Sequence, residues 1–242
     1  MSTCVRSIVS SPPSVSRHLD WQGCFNARDL GGLPLVDGGE TRWGQLVRSD
    51  SLDQVEWSVV RDYGVRTVID LRNADERAAA PAHELHIPLD ASEDREFWGV
   101  WASGWQFGTP LYYRPHLERF PERSAAVLRA IARAEPGGVV FHCGGGRDRV
   151  GQIAMLVLAL VGVPAEHIAA DYVLSYERLP ALYAARGEED QRPSIEAHLA
   201  ERGTTVEEVL IDTLRSIDVE EVLRAGGSTD EELAAVRARL LG

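Results

Sequence analysis

The chain of 242 residues contains only three cysteines, Cys4, Cys24 and Cys143. So few cysteines, in an odd number, cannot form a disulfide framework, which favours a reducing, intracellular setting. Runs of about 18 strongly apolar residues are also lacking, so no membrane-spanning helix is expected. Residues 1–19 lack the continuous apolar segment of a signal peptide. The sequence therefore predicts a cytoplasmic protein, with export that needs no such signal left open.

Positive charge is scarce as well. The chain has 25 basic and 37 acidic residues, which gives a net charge of −12. A chain this acidic is a poor general ligand for nucleic acids and anionic membranes, so we expect neither a nucleic-acid partner nor stable membrane insertion. An anionic substrate would need a local cluster of positive charge. A hydrophobic content of 44% with 26% charged residues is typical of a folded globular protein.

Predicted strands and helices alternate through the middle of the chain. The apolar segments 65–71 and 139–142 predict buried strands, and 85–89 predicts a short third strand. The predicted helices cover residues 122–134, 149–161 and 165–175, then an apolar stripe over 206–217 and a last helix that the capping-box pair Thr229 and Glu232 opens. We expect a single α/β domain over residues 20–242, with a mostly parallel central sheet flanked by helices and a helical C-terminal part. The serine-rich residues 1–19 predict a flexible tail.

Aromatic residues are concentrated between positions 97 and 113. Trp98, Trp101 and Trp105 follow one another at spacings of three and four, the spacing of one helix face. Packing of that face against a core is the favoured interpretation. An aromatic wall or lid over a substrate is the alternative.

Residues 142–151 (HCGGGRDRVG) carry the chemistry. A strand is expected to deliver Cys143 to a loop, the glycines at 144–146 let successive N–H groups point inward, and a helix then begins. The helix dipole and nearby arginines favour a thiolate at Cys143. Arg149 lies six residues further on, and its planar guanidinium can hold two oxygens of a phosphate. The pattern predicts in-line attack of sulfur on phosphorus.

Other assignments fit these residues less well. A nucleotide P-loop ends in Gly-Lys-Ser/Thr, and the dinucleotide fingerprint needs glycine where Arg149 stands. Sulfur transfer through a persulfide on Cys143 stays open, as does a buried cysteine in a glycine-rich turn. His83 and His86 lie three apart, but no further metal-ligand spacing follows, so neither a metal nor another cofactor is expected.

The loop resembles the HC-x-x-G-K-D-R-T-G signature of the bacterial and fungal cysteine-dependent protein tyrosine phosphatases, the family of the mycobacterial tyrosine phosphatase B group. Further segments resemble motifs of that family in the same order. They are residues 25–32 (FNARDLGG), 48–50 (RSD), 68–72 (VIDLR), 171–175 (DYVLS) and 228–233 (STDEEL). The resemblance covers about residues 20–242 and implies a phosphatase-like α/β fold that acts without a metal.

The resemblance implies a role for each matching residue. Cys143 would be the nucleophile, Arg149 the phosphate clamp and Asp148 an acid within the loop that protonates the leaving oxygen. A charge that stabilises the helix dipole is the alternative for Asp148. Asp70 is the competing acid, unless it forms an ion pair with Arg72.

The other matching positions would support this chemistry. The phosphate-binding positions would be Gly144, Gly145, Gly146, Arg147, Val150 and Gly151. His142 would tune the thiolate by hydrogen bonding, and Arg28 could reach the phosphate pocket. Cys24 could serve as a second thiol that protects Cys143 as a disulfide, although a buried apolar role is favoured.

Two positions depart from the family pattern. Arg147 stands where the family usually has lysine, which keeps the charge but replaces a point charge with a planar guanidinium. Extra positive charge here would suit phosphoinositides or other multiply charged substrates. Val150 replaces a hydroxyl residue that in related enzymes donates to the cysteine sulfur. Loss of a charge-assisted hydrogen bond costs about 1.5–3 kcal/mol, so the sequence predicts slow breakdown of the phosphoenzyme.

The expected function is hydrolysis of phosphomonoesters, first of phosphotyrosine and then of phosphoserine, phosphothreonine or phosphoinositides. The expected partner is a phosphorylated protein or a small phosphomonoester, and a monomer is the default. A phosphate-binding pseudophosphatase with negligible turnover is the alternative, which Val150 and Arg147 support.

Overall fold

A five-stranded sheet in the order β1-β2-β5-β3-β4 lies at the centre of the computed structural model, which describes residues 16–77 and 84–242. The strands are β1 (Arg28–Asp29), β2 (Leu46–Ser49), β3 (Val65–Asp70), β4 (Glu84–His86) and β5 (Gly138–His142). β1 runs antiparallel to β2, and the other neighbouring pairs are parallel. The mostly parallel α/β sheet of a single domain is thereby confirmed. The short third strand ends at His86 rather than at position 89, shortly before Pro88, which has no N–H to donate.

Helices flank both faces of the sheet and make up the C-terminal part. Those in the described ranges are α1 (Trp57–Asp62), α2 (Arg95–Trp101), α3 (Tyr113–Arg119), α4 (Pro121–Arg133), α5 (Asp148–Leu160), α6 (Ala165–Arg186), α7 (Arg192–Ala200), α8 (Val206–Ser216), α9 (Val219–Ala225) and α10 (Asp230–Leu241). The predicted length of α6 was wrong, because the helix continues through Pro180 to Arg186. Burial of Tyr176, Leu179 and Leu182 stabilises this extension despite the hydrogen bond that proline removes.

The two largest parts of the core lie on opposite sides of β5. Val139 and Phe141 point into the larger apolar cluster, which includes nearly all of α5. Val140 points to the opposite face and packs with Val47 and Val68 in a smaller cluster near α1. This alternation follows from the period of two along a strand. Since α5 is apolar on every side, the loop before it is anchored in the centre of the molecule.

The C-terminal helices begin as the sequence predicts. Thr229 Oγ1 accepts from the Glu232 N–H at 3.3 Å, and Glu232 Oε2 accepts from the Thr229 N–H at 3.2 Å, so the capping box is complete. Leu233, Val236 and Leu240 of α10 are buried, and the helix packs against α4. No helix in the described ranges has the length and apolarity needed to cross a bilayer.

The chain enters the fold before position 20. Arg17 Nη1 lies 2.7 Å from Asp171 Oδ1, and the Leu19 N–H donates to the Ala27 carbonyl at 3.0 Å. The last residues of the predicted tail therefore contact the folded domain, whereas positions 1–15 lie outside the described residues.

The aromatic segment divides between the two predicted roles. Trp98 and Trp101 pack around Phe97 and the edge of the core. Trp105 and Phe107 are 39% and 43% exposed and line a cleft above the cysteine loop. The helical half of the segment therefore packs against the core, and the half that follows it forms an aromatic wall of the cleft.

Candidate active site

The cysteine loop lies at the carboxyl end of the central strand. β5 ends at His142 and α5 begins at Asp148, so residues 143–147 connect strand to helix between the ends of β2 and β3. This edge of a parallel sheet is where α/β proteins gather their binding groups.

Side chains outside the loop hold its carbonyl groups. Asn26 Nδ2 donates to the Gly145 carbonyl at 3.0 Å, and Arg48 Nη2 donates to the carbonyls of Gly146 at 3.0 Å and Arg147 at 3.3 Å. Because the carbonyls face outward, the N–H groups between them are directed to the concave side of the loop. Both residues lie in segments that resemble family motifs, 25–32 and 48–50, but no role was predicted for either of them.

An N–H group of the loop contacts the sulfur of Cys143. The Gly146 N–H donates to Cys143 Sγ at 3.3 Å, as expected for a loop that stabilises a thiolate or an anion above it. Gly146 has φ +68°, and a Cβ there would lie 2.5 Å from the Asp50 nitrogen. Only glycine fits this position, so the curvature of the loop depends on Gly146.

A buried charge network supports the loop from behind. Asp171 on α6 accepts from Arg17, Arg28 and Arg48, with N–O distances of 2.7, 3.1 and 2.7 Å. Burial opposes ionisation of Asp171, but the three guanidinium groups outweigh it and hold its pKa well below the usual value. Arg28, predicted to reach the phosphate pocket, instead belongs to this network and also donates to Asn26 Oδ1 at 2.6 Å. We call Asp171 and its three arginine partners, Arg17, Arg28 and Arg48, the Asp171 network.

Arg149 faces the loop but already has two acidic partners. Its Nη1 and Nη2 lie 2.6 and 2.7 Å from the carboxylate oxygens of Glu76, and Nη1 lies 3.3 Å from Asp90 Oδ2. Burial raises the pKa of Glu76, but the hydrogen bonds and charge of Arg149 outweigh burial. The pKa of Glu76 is therefore lower than usual, which keeps this carboxylate ionised. Sequence analysis missed both acids. The signal for them is position alone, since Glu76 follows β3 and Asp90 follows β4.

Arg147, which was predicted to bind phosphate, is engaged by three neighbouring side chains. Its guanidinium lies 3.1 Å from Asp148 Oδ1, donates to Tyr183 Oη at 3.2 Å and stacks over Tyr176 with 5.5 Å to the ring centre. Asp148 also accepts from Tyr172 Oη at 3.1 Å. Both residues line the cleft, with Arg147 largely buried beneath it.

Val150 and Gly151, also predicted as phosphate-binding positions, lie at the start of α5. The Val150 side chain is fully buried in the main core, and the Gly151 N–H donates within the helix to the Arg147 carbonyl at 2.8 Å. Both residues belong to the first turn of α5, Val150 with its side chain in the core and Gly151 with its N–H bonded within the helix.

Asp70 forms the ion pair that was the alternative to its acid role. It lies 2.9 Å from Arg72 Nη2 and 2.8 Å from Arg77 Nε. Burial raises the pKa of Asp70, but hydrogen bonds and the nearby positive charges outweigh it and lower the value to about 2. A group that ionises so readily is poorly suited to donate a proton at neutral pH.

His142 is part of the same buried cluster. Its Nε2 lies 2.6 Å from Glu84 Oε1, so the ring contacts a carboxylate and not the sulfur it was expected to tune. Asp70, Glu84 and His142 could together hold a metal ion. Arg77 already bridges the two carboxylates, which neutralises the charge that a cation would require. His83 of the predicted histidine pair lies outside the described residues.

Cys24 lies beside the loop in an acidic setting. Its sulfur is 2.5 Å from Asp50 Oδ1 and 3.0 Å from Ser49 Oγ. Burial raises the pKa of the Cys24 thiol, and the Asp50 carboxylate raises it further. Both described cysteines are free thiols, and Cys24 keeps its proton.

Comparison with known proteins gives a consistent assignment. The profile of the tyrosine phosphatase family matches residues 19–242. A Cupriavidus necator protein named for tyrosine-protein phosphatase activity is 30% identical over 63% of this chain and 61% of its own length. A tyrosine-protein phosphatase of Nostoc commune is 35% identical over 46% of this chain and 40% of its own. The triple specificity protein phosphatase PtpB of Mycobacterium tuberculosis is 26% identical, with 67% and 70% covered. The chain thus spans less than two thirds of the first two relatives.

Proposed function

Because the chain belongs to the tyrosine phosphatase family, we propose that residues 20–242 hydrolyse phosphomonoesters through a cysteinyl-phosphate intermediate, with phosphotyrosine in proteins as the main substrate. One observation carries the proposal. The Gly146 N–H donates to Cys143 Sγ inside a loop whose carbonyls Asn26 and Arg48 hold outward. A phosphate seated there would meet inward N–H groups, a sulfur beneath and Arg149 beside it.

The reaction then has two displacements at phosphorus. The Cys143 thiolate forms an S–P bond while the bond from phosphorus to the leaving oxygen breaks, and an acid protonates that oxygen. Water next attacks phosphorus, the S–P bond breaks and its electron pair returns to sulfur. Arg149 and the loop N–H groups stabilise the charge on the three phosphoryl oxygens in both steps.

The shape of the cleft favours an aryl phosphate. Trp105, Phe107, Leu179 and Leu182 form apolar walls above the loop, and Arg186 lies at the edge. These walls can contact a phosphotyrosine ring, whereas the short side chain of phosphoserine would not reach between them. Phosphoserine, phosphothreonine and phosphoinositides are secondary candidates in this proposal, since Arg147 is occupied by Asp148. Free thiols at Cys24 and Cys143 support a cytoplasmic setting.

Hydrolysis of an aryl phosphate tests the proposal. We expect para-nitrophenyl phosphate to be cleaved between about pH 5 and 7.5 with a chelator present. Activity should vanish in Cys143→Ser and persist in Cys24→Ser, the matched control. Absence of Cys143-dependent hydrolysis in folded protein that still binds vanadate would favour the pseudophosphatase alternative. Sulfide release from thiosulfate would favour sulfur transfer instead.

A further inference from the structure

Three arginines line the cleft above the cysteine loop, and they differ in their partners. Arg147 Nε lies 3.1 Å from Asp148 Oδ1, and Arg149 Nη1 lies 2.6 Å from Glu76 Oε1. Arg186 has no carboxylate within ion-pair distance among residues 16–77 and 84–242. Of the three, Arg186 is therefore the one whose positive charge is not neutralised by a neighbouring side chain.

The position of Arg186 in α6 brings this charge to the mouth of the cleft. Leu179, Leu182 and Arg186 follow one another at spacings of three and four, so they share one face of the helix. The two leucines are buried in the apolar wall of the cleft, whereas Arg186 is exposed. Arg186 Nη2 donates to the Gly144 carbonyl at 3.1 Å, which holds the guanidinium beside the cysteine loop. Its other N–H groups make no hydrogen bond with the described residues, and they are available to an anion.

We propose that Arg186 binds the carboxylate of an aspartate or glutamate that lies next to phosphotyrosine in a protein substrate. The inference rests on the proposed phosphatase function and names a specificity-determining residue for it. With the phosphate on the cysteine loop and the ring between the apolar walls, the main chain of the substrate leaves the cleft at its mouth. A neighbouring acidic side chain then meets the guanidinium, which can donate to both oxygens of a carboxylate.

The other charges near the cleft oppose this attraction. The net charge of the whole chain is −12, which repels an acidic peptide. Glu188 also lines the cleft, just after the end of α6 at Gly187. Since Glu188 forms no ion pair with Arg186 in the described part of the chain, it weakens the attraction without occupying the guanidinium. We therefore expect a moderate preference for acidic peptides that depends on Arg186.

Arg186 also has contacts that support the fold, and these would not distinguish one substrate from another. A basic residue in the last turn stabilises the negative end of the dipole of α6, and the hydrogen bond to Gly144 supports the loop. Loss of either contact would slow the cleavage of every substrate alike. The ratio of kcat/KM between two peptides, measured on the same variant, removes such general effects and reports the contact with the peptide.

Two phosphotyrosine peptides test the proposal, one with glutamate and the other with glutamine on both sides of the phosphotyrosine. In the unaltered protein kcat/KM should be about three- to fivefold higher for the acidic peptide, the range expected of an exposed ion pair. Arg186→Gln should bring this ratio to one or below, Arg186→Lys should keep most of it, and Glu188→Gln should increase it. The difference between the unaltered protein and Arg186→Gln should shrink as the salt concentration rises. Arg178→Gln is the matched control, because Arg178 is an exposed arginine of the same helix that does not line the cleft, and it should leave the ratio unchanged.

Other outcomes would overturn the assignment. Equal kcat/KM for the two peptides in the unaltered protein, or an unchanged ratio in Arg186→Gln, would remove Arg186 from substrate recognition. An equal loss on both peptides in Arg186→Gln would leave Arg186 a structural role only. A selective loss on a multiply phosphorylated inositol, with the peptide ratio unchanged, would assign Arg186 to a second phosphate instead. Failure of the proposed function looks different, because the unaltered protein would then cleave neither peptide.

Discussion

The arginine at position 147 follows the amino-acid composition of the whole chain. The sequence has no lysine, so all 25 of its basic residues are arginines. Arg147 uses the planar guanidinium for contacts that an ammonium group would not reproduce, with Asp148, Tyr183 and the ring of Tyr176. The departure from the family lysine is therefore accommodated by its neighbours, and it does not by itself indicate a multiply charged substrate.

Val150 should limit the second displacement. The side chain is fully buried, belongs to the same core cluster as Cys143 and has no hydroxyl to donate. We expect Val150→Thr to raise kcat about 10- to 100-fold, because a restored charge-assisted hydrogen bond is worth about 1.5–3 kcal/mol to the departing sulfur. Stopped-flow kinetics should show a burst of phenol in the unaltered protein that disappears in the variant. Val150→Ala is the control, and an unchanged kcat without a burst would contradict this prediction.

Cys24 should be unreactive. Its raised pKa and its contact with Asp50 keep the thiol protonated, and a thiol is a poor nucleophile. We expect iodoacetamide at neutral pH to modify Cys143 and spare Cys24, as peptide mapping would show, with bound phosphate protecting Cys143 as the control. A disulfide between Cys24 and Cys143 after mild peroxide treatment would establish the second-thiol role that the structure disfavours.

Between elements, the Asp171 network joins α6 to β1 and β2. Asp171→Asn would leave Arg28 and Arg48 buried without a full counter-charge, and we expect a loss of about 3–5 kcal/mol in the free energy of unfolding. Urea denaturation measures this loss. Ser175→Ala is the matched control, since it removes a neutral acceptor of Arg28 at 3.1 Å and should cost only about 1 kcal/mol. Equal losses in the two variants would mean that the charge of Asp171 has no special importance.

Substitutions at two tryptophans of the aromatic segment should affect different properties, substrate binding for one and stability for the other. Trp105 is partly exposed over the cleft, so Trp105→Ala should raise KM for a phosphotyrosine peptide about tenfold, equivalent to ~1.4 kcal/mol, with kcat little changed. Trp101 packs against Phe97, so Trp101→Ala should lower the melting temperature and leave KM nearly constant. The assignment of a cleft wall would be wrong if both variants changed stability alone.

For the whole molecule, we expect a lower pH to remove the contribution of ionised Asp70 to the free energy of unfolding. The pKa of Asp70 falls from 3.8 to about 2 on folding, because its arginine contacts outweigh burial. A group whose pKa is lower in the folded state stabilises the protein above its unfolded pKa and loses that effect as the pH falls through the folded one. The unaltered protein should therefore lose more stability than Asp70→Asn between about pH 4 and 2.

Urea midpoints at several pH values measure that difference. Asp62→Asn is the control, because the Asp62 side chain is 76% exposed and 4.0 Å from its arginine partner. The same dependence on pH in unaltered protein and Asp70→Asn would show that Asp70 makes no such contribution.

Local patterns in the chain determined its main elements and the loop at which we propose that the reaction takes place. The strand before Cys143, the glycines, Arg149 and the helix that follows are contiguous, so the shape of the loop depends on residues that are neighbours in sequence. The capping box of α10 was predictable for the same reason, since its two hydrogen bonds span three residues. Alternating strands and helices were enough to predict a mostly parallel sheet.

Only the tertiary structure decided which charged groups meet. Asp171 meets arginines more than a hundred residues away, and Arg149 meets Glu76 and Asp90 from two other connections of the sheet. A charged side chain has many potential partners in sequence, and its burial and its pKa depend on which of them the fold brings near. The sequence therefore predicts a nucleophile and a phosphate clamp within one short loop, whereas the acidic partners of Arg149 depend on packing between distant segments.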